Sequence, residues 1–263
     1  MFLGVDIGSS SSKAVLIDVS GGVVGQKAIQ MGTGTVGAKS VEQALLAEVG
    51  ACREDVLFAV ATGYGRMTYP DCDLQITEIS CHAAGVSKLL PGTRTVVDIG
   101  GQDAKIIRVD GAGRVMNFGM NEKCAAGTGR FLEVMARVLG CGIDELAALA
   151  EKSGDAVKIS SVCTVFAESE VISQLAAGAR IEDVAKGAHN SVATRVAGMC
   201  SRVGVEEAVA MTGGVALNRD LVRSLEAALN VRISVPPSPQ TAGALGAAHY
   251  AKENYEKRGG EKS

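Results

Sequence analysis

Asp6-Ile7-Gly8-Ser9-Ser10-Ser11 sets a carboxylate at the end of an apolar run and follows it with a turn of glycine and serines. Backbone N–H groups and hydroxyls in such a turn can point at phosphate oxygens, and the acid suits Mg2+. Asp98-Ile99-Gly100-Gly101-Gln102-Asp103 repeats the arrangement at an offset of 92, which is 98 minus 6. At that same offset Lys13, Asp18, Gly21 and Val23 recur as Lys105, Asp110, Gly113 and Val115. One copy alone would read as an ordinary hairpin turn, with Asp capping a bend and Gly supplying positive φ. Two copies predict two related halves that clamp a triphosphate and its metal between their turns. Asp6 and Asp98 are the expected metal carboxylates, with Gly8, Ser9, Ser10, Ser11, Gly100 and Gly101 around the phosphates. Lys13 and Lys105 are both candidates for phosphate contact, and Lys13 is the better one because serines shape the loop before it.

Thr212-Gly213-Gly214-Val215 is a third candidate, since paired glycines after a strand let an adenine or ribose approach the backbone. Two decoys fail on spacing. Gly32-Thr33-Gly34-Thr35-Val36-Gly37 fits a dinucleotide-binding pattern, but the acids about twenty residues on, Glu54 and Asp55, precede the next strand instead of ending it. Gly8 to Lys13 lacks the second glycine and the Lys-Ser/Thr pair of a P-loop. Among the seven cysteines none forms a CxxC pair, so a compact four-ligand set within one chain is not expected. Cys124, in Lys123-Cys124-Ala125-Ala126-Gly127-Thr128-Gly129, and Cys163 each precede a helix, where N–H groups favour a thiolate. On residue type alone both also read as idle thiols, and two ligands per chain would need a two-fold dimer to make four.

The elements that must hold these residues follow from hydrophobic period. Each copy of the repeat reads as a β-hairpin, with second strands over residues 14–17 and 106–109. A helix is expected over 40–49, a buried strand over 56–61, and helices over 130–139 and 167–177, the latter stopped by Gly178. A strand over 205–212 precedes Gly213, a helix follows over 218–229, and a last helix over 242–250 precedes a Lys/Glu/Gly tail expected to fray. The class is α/β, with one subdomain near 1–90, a second near 91–240, and the last helix free to return to the first.

A net charge of -3 with scattered Lys and Arg argues against nucleic acid as a partner. No apolar stretch approaches the ~20 residues of a membrane helix. The start, Met1-Phe2-Leu3-Gly4-Val5, has no charged leader or cleavage site, so a cytoplasmic location is expected. An odd cysteine count then reads as thiols or metal ligands, not disulfides.

With these residues in view, the chain resembles the ATP-dependent activators of 2-hydroxyacyl-CoA dehydratases, relatives of the ATPase subunits of benzoyl-CoA reductase. The resemblance is carried by residues 4–9, by Ala61-Thr62-Gly63-Tyr64-Gly65-Arg66, by 98–103, 121–130 and 163–174, and by 211–216. It implies a duplicated ATPase fold of the actin, sugar-kinase and heat-shock-chaperone type, with a nucleotide cleft between two subdomains. It also implies ATP and ADP as ligands with Mg2+, and a homodimer sharing one [4Fe-4S] cluster, whose ligands would map onto Cys124 and Cys163. A ferredoxin or flavodoxin would reduce the cluster, and a separate dehydratase would receive the electron. Where sugar kinases offer an acidic base near the γ-phosphate, this chain has Gln102 beside Asp103, and either is a candidate to orient the attacking water. Cys52, Cys72, Cys81, Cys141 and Cys200 receive no role. The rivals are a benzoyl-CoA-reductase-type subunit, a cluster-free small-molecule kinase and a non-catalytic nucleotide-sensing scaffold.

Overall fold

The computed structural model describes residues 1–160 and 163–259; Ser161 and Val162, just ahead of Cys163, and residues 260–263 of the tail expected to fray lie outside the described residues. β1 (Phe2–Ile7) is buried along its whole length, which explains why its apolar run shows no polar alternation. It pairs antiparallel with β2 (Ser12–Ile17) and parallel with β4 (Phe58–Thr62). With β3 (Val23–Ile29) and β5 (Leu74–Gln75) it forms a sheet of order β3-β2-β1-β4-β5. The helix expected over 40–49 is α1 (Gly37–Val49), one turn longer at its start, and its Val41 and Leu45 share a core with Leu3, Val5 and Ile7.

The second half repeats this plan. β6 (Thr95–Ile99), β7 (Ala104–Val109), β8 (Val115–Asn121), β9 (Val209–Thr212) and β10 (Ile233–Ser234) form a sheet of order β10-β9-β6-β7-β8. Read from β8, it is the first sheet again. The likeness reaches backbone detail: pairing slips between Leu16 and Ile17 in one copy and between Arg108 and Val109 in the other. Asp18 Oδ1 accepts the N–H groups of Ser20 and Gly22, and Asp110 Oδ1 those of Ala112 and Arg114. Asp18 and Asp110 are therefore turn caps, which accounts for their recurrence at the common offset.

Helices α3 (Gly129–Val138), α4 (Leu146–Ala150), α5 (Thr164–Ala176), α6 (Ile181–Val203) and α7 (Arg219–Leu229) belong to the second half. Phe131 and Met135 of α3 share one core with Val171, Val192, Val196, Val97 and Ile99. Two helices link the halves. Ala83 and Val86 of α2 (Glu78–Leu89) pack with Val96 and Ile107 of the second sheet. The last helix, α8 (Ala242–Lys257), runs two turns beyond the expected span and lays Ala244, Ala248 and Ala251 on Phe2, Val15 and Phe58 of the first sheet.

α2 and α8 cross at Gly85 and Gly246, where backbone meets backbone: a methyl on Gly246 would collide with the carbonyl of Cys81, and one on Gly85 with that of Ala242. Neither obstacle is a side chain that can rotate away. Gly246→Ala is expected to cost about 1–3 kcal/mol of stability through overpacking, despite the better helix propensity of alanine. A lowered urea midpoint with unchanged m-value would register it; an unchanged or raised midpoint would mean that the helices separate freely at this point.

Candidate functional site

Asp6 and Asp98 stand next to last in β1 and β6, the central strands. Register places Lys13 and Thr62 beside Asp6, and Lys105 and Thr212 beside Asp98. Register partners share a sheet face with Cβ atoms about 5 Å apart, so each aspartate faces one lysine and one threonine. Both carboxylates are buried, at 4% and 2% exposure. The turns that follow are closed alike, Gly8 donating its N–H to the Ser11 carbonyl and Gly100 to that of Asp103. The Gly32–Gly37 segment braces the first turn, where the Thr33 N–H and hydroxyl both donate to the Gly8 carbonyl. The start of α3 braces the second, with Gly129 and Arg130 donating to the carbonyls of Gly100 and Gly101.

Tertiary packing breaks this symmetry at the lysines. Lys13 keeps 15% of its side chain exposed, and its Nζ lies 3.8 Å from Asp6. Lys105, at 3%, is surrounded by Asp103 at 2.8 Å, Asp98 at 3.3 Å and Glu78 at 3.6 Å. Burial alone would lower Lys105, but these three carboxylates raise it, so it stays protonated. Lys13 retains an open face toward a ligand, whereas Lys105 neutralises its own neighbours.

Burial works to raise Asp98, yet nearby His82, Lys105 and the Thr212 hydroxyl outweigh it and hold the carboxyl down at about 2. The Thr212 hydroxyl donates to Asp98 Oδ1 at 2.9 Å, and His82 Nδ1 stands 3.4 Å from the same oxygen. Burial pushes Glu78 upward, with Lys105 opposing. Two buried aspartates, one held firmly anionic, give the hard oxygen donors that Mg2+ takes in ones and twos alongside phosphate.

These groups line one cleft of about 630 Å³ between the two halves. Asp6, Gly8, Ser9, Ser10, Ser11, Lys13, Asp98, Gly100, Gly101, Asp103, Gly213 and Gly214 all face it. Gln102 is exposed and is not part of its lining. Gly213 has φ +85, and a side chain there would run into the backbone of Ile99, so only glycine lets β9 turn here. Leu132, Ile143 and Ala147 add an apolar flank suited to a flat ring. Glu78, His82 and Asn218 line the cleft too, and sequence reasoning passed them over. A signal existed for the first two: Thr77 accepts the Ser80 N–H as the N-cap of α2, with Glu78 in its first turn.

Cys124 and Cys163 are not in the cleft lining. Cys163 is exposed and is the N-cap residue of α5; Cys124 is half-buried in the segment leading to α3. That segment is pinned by Asn121, whose amide donates to the carbonyls of Cys124 and Ala126, and by Arg195, which also donates to Ala126. α3 and α5 share a core, and Arg137 pairs with Glu168 between them. Among the described residues no three His, Cys, Asp or Glu side chains gather as a metal site. Cys163, exposed, and Cys124, half-buried, are soft thiols ahead of two neighbouring helices, donors of the kind that ligate iron-sulfur clusters. Also among the described residues, no helix is long and apolar enough to cross a membrane.

Comparison with known proteins agrees with this geometry. The model of the BadF/BadG/BcrA/BcrD ATPase family matches residues 3–251. The activator of lactoyl-CoA dehydratase of Anaerotignum propionicum is 52% identical, covering 97% of this chain and 99% of that protein. The (R)-2-hydroxyglutaryl-CoA dehydratase activating ATPase of Acidaminococcus fermentans is 49% identical over 95% and 96%. Among solved structures, the activator of the 2-hydroxyisocaproyl-CoA dehydratase from Clostridium difficile with bound ADPNP superposes with TM-score 0.95 at 49% identity, over 100% of this chain and 99% of that one. A ROK family glucokinase from Streptomyces griseus shares the fold alone, with TM-score 0.57, 14% identity, and 96% and 99% of the two chains covered. Two matched five-stranded sheets, paired aspartates in the cleft between them and a family match along nearly the whole chain make this an α/β protein of the actin and sugar-kinase fold that belongs to the BadF/BadG/BcrA/BcrD ATPase family.

Proposed function

We propose that the chain is an ATP-hydrolysing iron-sulfur protein that passes one low-potential electron to a 2-hydroxyacyl-CoA dehydratase and so activates it. The observation that carries this reading is the full-length likeness to activators of dehydratases for different 2-hydroxyacyl-CoA substrates. The protein would work in the cytoplasm as a homodimer, with ferredoxin or flavodoxin as its reductant.

In this reading Asp6 and Asp98 would hold Mg2+, which would offset the charge of the phosphates, and the two turns would receive the phosphate oxygens. Lys13 reaches the phosphates, and Gly213 and Gly214 receive the nucleoside. The attacking water is oriented from the Gly100–Asp103 turn, for which Asp103 is better placed than Gln102 because it faces the cleft. Cys124 and Cys163 of each copy would hold one [4Fe-4S] cluster, which when bound supplies a one-electron couple tuned by nearby charge and solvent. A change at the second phosphate turn when ATP gives way to ADP would reach these thiols, and the dimer arrangement, through the start of α3, which touches that turn and follows Cys124.

The test mixes anaerobically purified protein with an inactive 2-hydroxyacyl-CoA dehydratase, reductant and MgATP. Dehydration is expected with ATP and absent with ADP or without reductant. An iron-free protein that converts ATP to ADP only by transferring the γ-phosphoryl group to a small-molecule acceptor would replace this reading with a kinase.

A further inference from the structure

Behind the cleft wall that carries Gly213 and Gly214 lies a buried polar chain that phosphate binding does not use. His189 of α6 is fully buried, at 0% exposure, and its Nδ1 lies 2.6 Å from Asp220 Oδ2 of α7. Lys186 Nζ holds the other Asp220 oxygen at 2.8 Å and donates to Ser224 at 3.1 Å. On the far side, His189 Nε2 lies 3.0 Å from Asn218 Nδ2. Asn218 is the N-cap of α7, its Oδ1 accepting the Leu221 N–H at 3.0 Å, and it is part of the cleft wall.

These contacts leave one consistent assignment of protons. The Leu221 N–H requires an acceptor, so the Asn218 oxygen must face α7 and its NH2 must face His189. An NH2 group can only donate, so His189 Nε2 must accept and the ring proton must sit on Nδ1, where it is donated to Asp220. Asn218 cannot flip without losing both its cap and its bond to His189. One of its two amide hydrogens remains for another acceptor.

We propose that Asn218 donates this hydrogen to an acceptor atom on the nucleoside of bound nucleotide, and that His189, held by Asp220 and Lys186, is the positioning residue that keeps the amide turned that way. The inference rests on the cleft as the ATP site and does not depend on the iron-sulfur reading. A donor held in a fixed direction costs nothing to orient when the ligand arrives.

The test measures MgADP binding by calorimetry and Mg-tripolyphosphate binding by competition, in wild type, Asn218→Asp, His189→Ala and His189→Gln. Binding of both ligands by wild type at one site tests the cleft itself, separately from the inference. Aspartate keeps the α7 cap but removes the donor, so N218D is expected to weaken ADP about tenfold while tripolyphosphate changes less than about twofold. H189A is expected to weaken ADP in the same selective way, and H189Q, whose amide oxygen can still accept from Asn218, to recover most of it. Unchanged ADP binding in N218D would overturn the proposal. So would equal weakening of both ligands, which is the mark of charge repulsion or a disturbed fold, or equal loss in H189A and H189Q.

Discussion

Replacing either Cys124 or Cys163 with alanine is expected to take anaerobically purified protein from about two irons per chain to almost none. Each copy has only this pair of accessible thiols ahead of the packed helices α3 and α5, so a four-iron cluster shared by two copies would lose two of its four ligands in either variant. Two remaining thiolates do not hold such a cluster. ATP hydrolysis should survive, because neither cysteine lines the cleft, whereas activation of a dehydratase should vanish. Iron and acid-labile sulfide assays, with the dimer mass measured on the same samples, check this. Retention of iron in both variants would move the ligands to other residues. Folding should be little affected, since the exposed Cys163 caps α5 with no side-chain hydrogen bond and the Cys124 segment is pinned through backbone carbonyls.

Asp98→Asn and Asp6→Asn are each expected to slow ATP turnover by about a hundredfold or more, the scale on which removal of a preorganised charged group acts at a phosphoryl-transfer site. Asp98 offers a second readout. Its carboxyl sits at about 2 in the fold and near 3.9 in an unfolded chain, so its ionisation stabilises the protein above about pH 4. That contribution fades as pH falls toward 2. Wild type should therefore exceed D98N in stability at pH 7, where the variant leaves Lys105 short of one of its three carboxylates, and the gap should narrow at pH 3. Steady-state ATPase assays and urea titrations at the two pH values check both parts. Turnover within a few-fold of wild type in D98N would remove Asp98 from the metal site, and a gap that widens in acid would contradict the assigned ionisation.

Much of the first turn and its copy was legible in the chain itself. A strand buried on both faces must be a run of apolar residues, and a carboxylate next to its end, followed by glycine, is local chemistry. Repeating that chemistry at one offset predicted two matched halves. The third strand of each half escaped notice because β3 and β8 are sheet edges, half-exposed and without strict alternation. α6, the longest helix, was missed because Gly187, Asn190 and Ser191 interrupt its helix formers, and only its burial against the second core stabilises it.

By itself the sequence determined the duplication, the two aspartates with the glycine turns that follow them, the glycine pair after β9 and the two cysteines ahead of helices, since each is written in adjacent residues. Tertiary structure alone decided how equivalent residues diverge and which distant ones join them. Lys13 and Lys105 occupy the same register, yet only Lys105 is enclosed by acids, because α2 starts at the cleft and brings Glu78 to it. His82 meets Asp98 for the same reason. His189 reaches Asn218 only because α6 packs against α7 across 29 positions of chain. Contacts of that kind depend on which helix faces cross in space, and no local pattern of residue types encodes them.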